Sequence, residues 1–77
     1  MNITVYTKSN CPNCVAAKQL LKSKGLEYDE RDIGIPVWLD QLDMTYPDVR
    51  QMPFIIINGQ RVGGLAGLQA ALKQVGL

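Results

Sequence analysis

The sequence predicts an α/β fold with the element order βαβαββα, a four-stranded mixed sheet flanked by three helices. Three observations carry this reading. A β-branched stretch over residues 2–7 gives way to helix formers from Pro12 onward, residues 53–57 form a continuous apolar run, and Asn58-Gly59 follows that run as a hairpin turn. A helix between the first two strands makes them parallel and the hairpin makes the last two antiparallel, so the sheet is mixed.

Taken in order, residues 2–7 alternate Ile3, Val5 and Thr7 against Thr4 and Tyr6, as a strand does, and stop at the Ser9-Asn10 turn signal. The first helix is expected to begin at Cys11, with Pro12 at its first helical position, where a missing N–H is harmless. It runs to Lys24, with Cys14, Ala17 and Leu21 on one face, Lys18, Lys22 and Lys24 toward its C-terminal end, and Gly25 as its stop. Residues 26–32 are rich in charge and read as an edge strand, since charge discourages pairing with another chain. After Gly34, Pro36 opens a second helix over residues 36–44, with Ile35, Leu39, Leu42 and Trp38 forming its apolar side. Tyr46-Pro47-Asp48 marks a loop. Residues 53–57 suit a central strand covered on both faces, Asn58-Gly59 fits a type I′ turn, and residues 60–62 return. Gly63-Gly64 ends that strand, and Leu65, Leu68, Leu72 and Val75 fall at helical spacing to the C-terminus.

With 77 residues and 47% hydrophobic content, the chain is expected to form one domain, residues 1–77, with a core near the lower practical size. Net charge is +1 with both signs interspersed, so no strong field points to nucleic acid or an anionic membrane. The longest apolar run is far too short for a bilayer span, and no signal-peptide pattern is read, so a cytoplasmic protein is expected; it is expected to be a monomer. Histidine is absent, which removes Ser-His and Cys-His catalysis and the Cys/His zinc sites. No metal site is expected.

Both cysteines lie in Lys8-Ser9-Asn10-Cys11-Pro12-Asn13-Cys14. At a helix N-terminus, unpaired N–H groups favour a thiolate on Cys11. Cys14, at i+3 on the same face, can attack a mixed disulfide formed there. A structural bridge over so short a loop would constrain the unfolded chain little, so dithiol exchange is the expected chemistry.

With Cys-x-x-Cys at the strand-to-helix turn, Met52-Pro53 before the third strand, and Asn58-Gly59 through Gly63-Gly64 before the last helix, the chain resembles the glutaredoxins of the thioredoxin-fold superfamily, of the small dithiol type. The resemblance covers nearly the whole chain. It implies a thiol–disulfide oxidoreductase that reduces protein disulfides or glutathione mixed disulfides, with Cys11 as nucleophile and Cys14 as resolving thiol. It also implies a cis Pro53 facing the cysteines, with the Met52 backbone pairing with substrate, and no permanently bound cofactor, glutathione being the reductant. Glutathione would lie against Lys8, Pro12, Asn13 and Gln51, with Arg50 as a substitute for Gln51, and against Gly63, Gly64, Leu65 and Ala66. Disulfide-containing proteins are the implied partners, ribonucleotide reductase among them.

Two departures from the family pattern bear on the thiol donor. Asn13 stands where many dithiol glutaredoxins carry Tyr, and Leu65-Ala66-Gly67 lacks the Asp that commonly follows Gly-Gly and holds glutathione. The alternative is therefore a glutaredoxin-like redoxin recharged by thioredoxin reductase and serving ribonucleotide reductase, although Gly63-Gly64-Leu65-Ala66 does not match that group's usual Gly-Phe-Arg-Pro-like segment. Two further readings are a glutathione-ligated iron–sulfur cluster carrier and a binding module of the same fold with inert cysteines.

Overall fold

The computed structural model describes all 77 residues, Met1–Leu77. Its elements follow the expected order: β1 (Ile3–Thr7), α1 (Pro12–Ser23), β2 (Asp29–Asp32), α2 (Pro36–Thr45), β3 (Phe54–Ile57), β4 (Gln60–Gly63) and α3 (Leu65–Gln74). The sheet order is β2-β1-β3-β4, with β1 parallel to β2 and antiparallel to β3, and β3 antiparallel to β4. The apolar strands β1 and β3 take the two central places. The charged β2 and the polar β4 take the edges, as expected of strands that must not pair further.

Alternation along the strands splits the core into two layers. On one face Ile3, Val5 and Ile55 pack with Ala17 and Leu21 of α1 and Leu68 and Leu72 of α3. On the other, Tyr6 and Phe54 pack with Leu42 of α2. That second face is also tied by polar contacts. The Tyr6 hydroxyl donates to Gln41 Oε1 at 2.7 Å, and the Arg31 guanidinium donates to both groups while lying 4.9 Å from the Trp38 ring centre and 5.7 Å from that of Tyr6. Cation–π contacts of this kind link β2 to α2.

The hairpin matches its sequence signal. Asn58 and Gly59 both take positive φ, 52° and 80°, as a type I′ turn requires, and the Asn58 side chain accepts the Asn2 N–H at 2.8 Å. A register shift between Ile55 and Ile56 lengthens β4 to Gly63, one residue beyond the expected 60–62. At the end of α1 the Leu26 N–H bonds to Leu21 O and the Gly25 N–H to Lys22 O, the paired bonds of a Schellman stop.

Several expectations are corrected. Helix α1 begins at Pro12 rather than Cys11: Cys11 has extended φ and ψ, −124° and 94°, and is the N-cap. The second strand starts at Asp29 rather than residue 26, because Leu26 completes the helix stop and packs on the core instead of pairing. Lys18 does not sit at the helix C-terminus; only Lys22 lies in the last turn, and Lys18 pairs with Glu30 of β2. On α2 only Leu42 is buried, while Ile35 and Leu39 are 49% and 38% exposed. Only the Leu42 stripe of this ten-residue helix meets Tyr6 and Phe54, a narrower contact than the apolar spacing suggests. Val75 likewise lies beyond α3 and is exposed.

Candidate active site

Strand β1 delivers the chain to the cysteines through Lys8, Ser9 and Asn10, and Asn10 takes the left-handed conformation with φ 54°. That turn sets Cys11 as the N-cap of α1, where its sulfur accepts the Cys14 N–H at 3.2 Å. An N-cap acceptor satisfies one of the otherwise unpaired donors of the first turn, and a sulfur in that place gains the same stabilisation for negative charge. Pro12 follows at the first helical position, as its fixed φ favours. Cys14 is 2% exposed and Cys11 8%, and they are joined by a disulfide with their Cα atoms 5.2 Å apart. The structure is therefore that of the oxidised protein.

Three separate segments meet here. The Cys11 Sγ lies 3.6 Å from the main-chain oxygen of Met52, and the Met52–Pro53 peptide bond is cis, as the resemblance implied. Pro53 is buried immediately before β3. A methyl group placed on Gly64 would sit 3.6 Å from the Pro53 carbonyl oxygen, so the turn into α3 abuts the same proline. Cys11, Met52-Pro53 and Gly64 thus lie together at the redox pair, with Cys11 and Pro53 largely buried. Gly63 enters that turn with φ 87°.

The remaining expected site residues are placed as follows. Pro12 and Asn13 are exposed beside Cys11 on the first turn of α1, and Lys8 is exposed in the loop before it. Gln51 is exposed and precedes Met52, whereas Arg50 is turned back on its own loop and donates to Pro47 O and Val49 O. Ala66 is exposed in the first turn of α3. Leu65 is half-buried and packs against the core, so it offers a ligand its main chain rather than its side chain. Helix α3 has Gly64 as N-cap, no side-chain capping bond and no acidic residue in its first turn. Its leading N–H groups are a ready receptor for a carboxylate.

Position 67 carries a constraint. A Cβ on Gly67 would lie far inside contact distance of the Val62 carbonyl, so α3 approaches the end of β4 as closely as only glycine permits. Gly67 lies in the same first turn of α3 whose N-cap, Gly64, borders Pro53.

Sequence reasoning missed one group of residues. Thr7, 2% exposed, donates its hydroxyl to Glu30 Oε2 at 3.0 Å, and the Lys18 ammonium donates to the same oxygen at 2.9 Å. Donation of the Lys18 ammonium to the Glu30 carboxylate raises the Lys18 pKa above its ordinary value, against the opposing effect of burial. The signal available in the sequence was the i, i+4 spacing of Cys14 and Lys18 together with the inward phase of Thr7 on its strand.

Comparison with known proteins gives a consistent picture. The glutaredoxin family model matches residues 3–62. Glutaredoxin 3 of Escherichia coli strain K12 is 34% identical over 76 residues, covering 99% of this chain and 92% of that protein. The hybrid peroxiredoxin hyPrx5 of Haemophilus influenzae is 35% identical over 74 residues, but the chain spans only 28% of that protein. The glutaredoxin-like protein NrdH of Salmonella typhimurium is 33% identical over 57 residues, covering 73% of this chain and 68% of that one. Among solved structures, glutaredoxin 1 from Francisella tularensis superposes with a TM-score of 0.78 at 25% identity, covering 96% of this chain and 94% of that one. The architecture is the thioredoxin fold.

Proposed function

Because this chain belongs to the glutaredoxin family of thiol–disulfide oxidoreductases, we propose that it is a dithiol glutaredoxin recharged by glutathione. The observation that carries this reading is the approach of Cys11 to the Met52 carbonyl and of Gly64, at the uncapped start of α3, to the adjoining Pro53.

In the cycle, Cys11 as thiolate attacks one sulfur of a substrate disulfide. The substrate S–S bond breaks, a Cys11–substrate disulfide forms, and the departing thiolate takes up a proton. Cys14 then gives up its proton and attacks the Cys11 sulfur, which releases the second substrate thiol and leaves the Cys11–Cys14 disulfide. Two electrons have passed to the substrate. Two glutathione molecules reverse the process: the first forms a mixed disulfide with Cys11, and the second releases the reduced protein and glutathione disulfide.

Glutathione in this reading spans the surface from Lys8 and Gln51, which receive its glycine carboxylate, past Pro12, Asn13 and the Met52 main chain, to the turn Gly63-Gly64-Leu65-Ala66. There the N–H groups of α3 receive its γ-glutamyl carboxylate. Substrates are disulfide-containing proteins in the cytoplasm, with ribonucleotide reductase among the candidates, and the protein acts as a monomer.

A second reading is favoured by one specific observation, the lack of an acidic residue in the first turn of α3. Without it the amino group of a γ-glutamyl moiety has no carboxylate partner. The corresponding function is that of a glutaredoxin-like redoxin recharged by thioredoxin reductase, and the similarity to a glutaredoxin-like protein NrdH is in keeping with it. Turnover of a small disulfide with NADPH separates the two, using glutathione plus glutathione reductase in one arm and thioredoxin reductase in the other. Faster turnover in the glutathione arm is expected, and the reverse order would replace the first reading with the second.

A further inference from the structure

The dithiol cycle needs the two cysteines to differ, with Cys11 carrying the charge and Cys14 keeping its proton until the resolving step. The N-cap position of Cys11 explains one half of that difference. The other half concerns Cys14, which is buried on the face of α1 that also carries Lys18, one helical turn on. Residues at i and i+4 have their Cβ atoms about 5–6 Å apart. An uncompensated ammonium at Lys18 would draw negative charge onto Cys14, and the asymmetry would shrink.

The ammonium is compensated. Glu30 lies on β2 opposite Val5, whose side chain faces α1, and its Oε2 receives both the Lys18 ammonium and the Thr7 hydroxyl. Thr7 is the last residue of β1, and the Cys11 loop begins just beyond it. One carboxylate oxygen thus joins the strand that enters the active-site turn to the helix that leaves it. Other charged or titratable groups around this pair are Tyr28 and Asp32 from the β2 side and Lys22 one turn further along α1, with Lys8 exposed in the loop. Helix α3 brings no acidic residue in its first turn.

We propose that Glu30 is a positioning residue of the redox centre: anchored by Thr7, it neutralises Lys18 on the Cys14 face of α1 and so keeps the dithiol's proton on Cys14 and its charge on Cys11. The inference rests on the dithiol cycle but not on the identity of the thiol donor. When Cys14 attacks, its proton leaves with the departing substrate thiolate, and the paired Lys18 and Glu30 stay as they are.

The test uses opposite charge changes. Glu30→Gln keeps an acceptor for Thr7 but leaves Lys18 uncompensated, whereas Lys18→Met leaves the Glu30 carboxylate uncompensated. The pH midpoint for alkylation of Cys14 is measured in a Cys11→Ser background, and the reduction potential is measured in the dithiol protein. Glu30→Gln is expected to lower the midpoint by about half a pH unit or more and to make the disulfide more oxidising. Lys18→Met is expected to move both quantities the other way, and the double variant to return them toward the parent. A merely structural clamp would move both single variants in the same direction, or neither, and either result overturns the proposal. Circular dichroism of each variant shows that the readout comes from folded protein. Loss of turnover in Cys11→Ser tests the cycle itself, so failure of the two ideas can be told apart.

Discussion

The sulfur of Cys11 lies 3.6 Å from the carbonyl oxygen of Met52, a residue 41 positions further along the chain. The buried Cys14 stands behind it, with its N–H directed at the same sulfur. Cys11, 8% exposed against 2% for Cys14, is the more accessible sulfur and the nucleophile of the proposed cycle. Cys11→Ser is expected to reduce turnover of any disulfide to the uncatalysed background. Cys14→Ser is expected to retain deglutathionylation of small mixed disulfides, which needs one thiol, while losing reduction of protein disulfides. Assaying both substrates with both variants checks the assignment, and activity in Cys11→Ser would remove it.

The first turn of α3 lacks an acid, and Ala66 there is exposed. Ala66→Asp is expected to stabilise the helix by about 0.3–1 kcal/mol through the dipole. If glutathione lies at this helix end, the new carboxylate also supplies a charge-assisted contact of about 1.5–3 kcal/mol, equivalent to a roughly ten- to hundredfold lower KM for glutathione. A rise in Tm with no change in KM would place glutathione elsewhere.

Gly67→Ala sets two effects against each other. Alanine gains up to about 1 kcal/mol over glycine inside a helix, whereas overpacking costs about 1–3 kcal/mol. The atom met is the Val62 backbone carbonyl, which cannot swing aside as a side chain could, so the cost is expected to win. Urea denaturation should show net destabilisation. Because Gly64 at the start of the same helix borders Pro53, a displaced α3 should also raise KM for glutathione in the folded fraction.

The Arg61 guanidinium donates to Asp48 at 2.6 Å, and this hydrogen bond holds the Asp48 carboxyl below its ordinary pKa. A carboxylate with a depressed folded-state pKa adds stability above its unfolded value and loses that contribution as pH falls through the folded one. Asp48→Asn should therefore be slightly less stable than the parent near neutral pH, with the gap closing below about pH 4. Both partners are exposed, so the gap should be small and should shrink with added salt. Thermal melts across pH and ionic strength provide the measurement.

The parts of the fold that were legible in the sequence are those with local causes. Asn58-Gly59 announced its turn because few other residues accept positive φ twice in succession, and Pro12 marked the helix start because only a first-turn position suits it. Cys11 and Cys14 were legible for the same reason, since their spacing and their place at a helix start are both local. The exposure of Ile35 and Leu39 was not legible, because helical spacing says which residues share a face but not how much of that face the sheet covers. Glu30 and Arg31 looked like edge charges that discourage pairing. Their partners lie on α1, on α2 and at the end of β1, and no local pattern encodes contacts between elements. The cis bond at Pro53 was implied only by resemblance.

Arg31 lies over the chain's single tryptophan, Trp38, at the seam between β2 and α2. The protein therefore carries one indole fluorophore, and it reports on a different region from the cysteines. Emission should respond when α2 lifts from the sheet, while in the reduced protein thiol accessibility responds when the start of α1 opens. Following denaturation by both signals asks whether the two layers of this small core separate together or in turn.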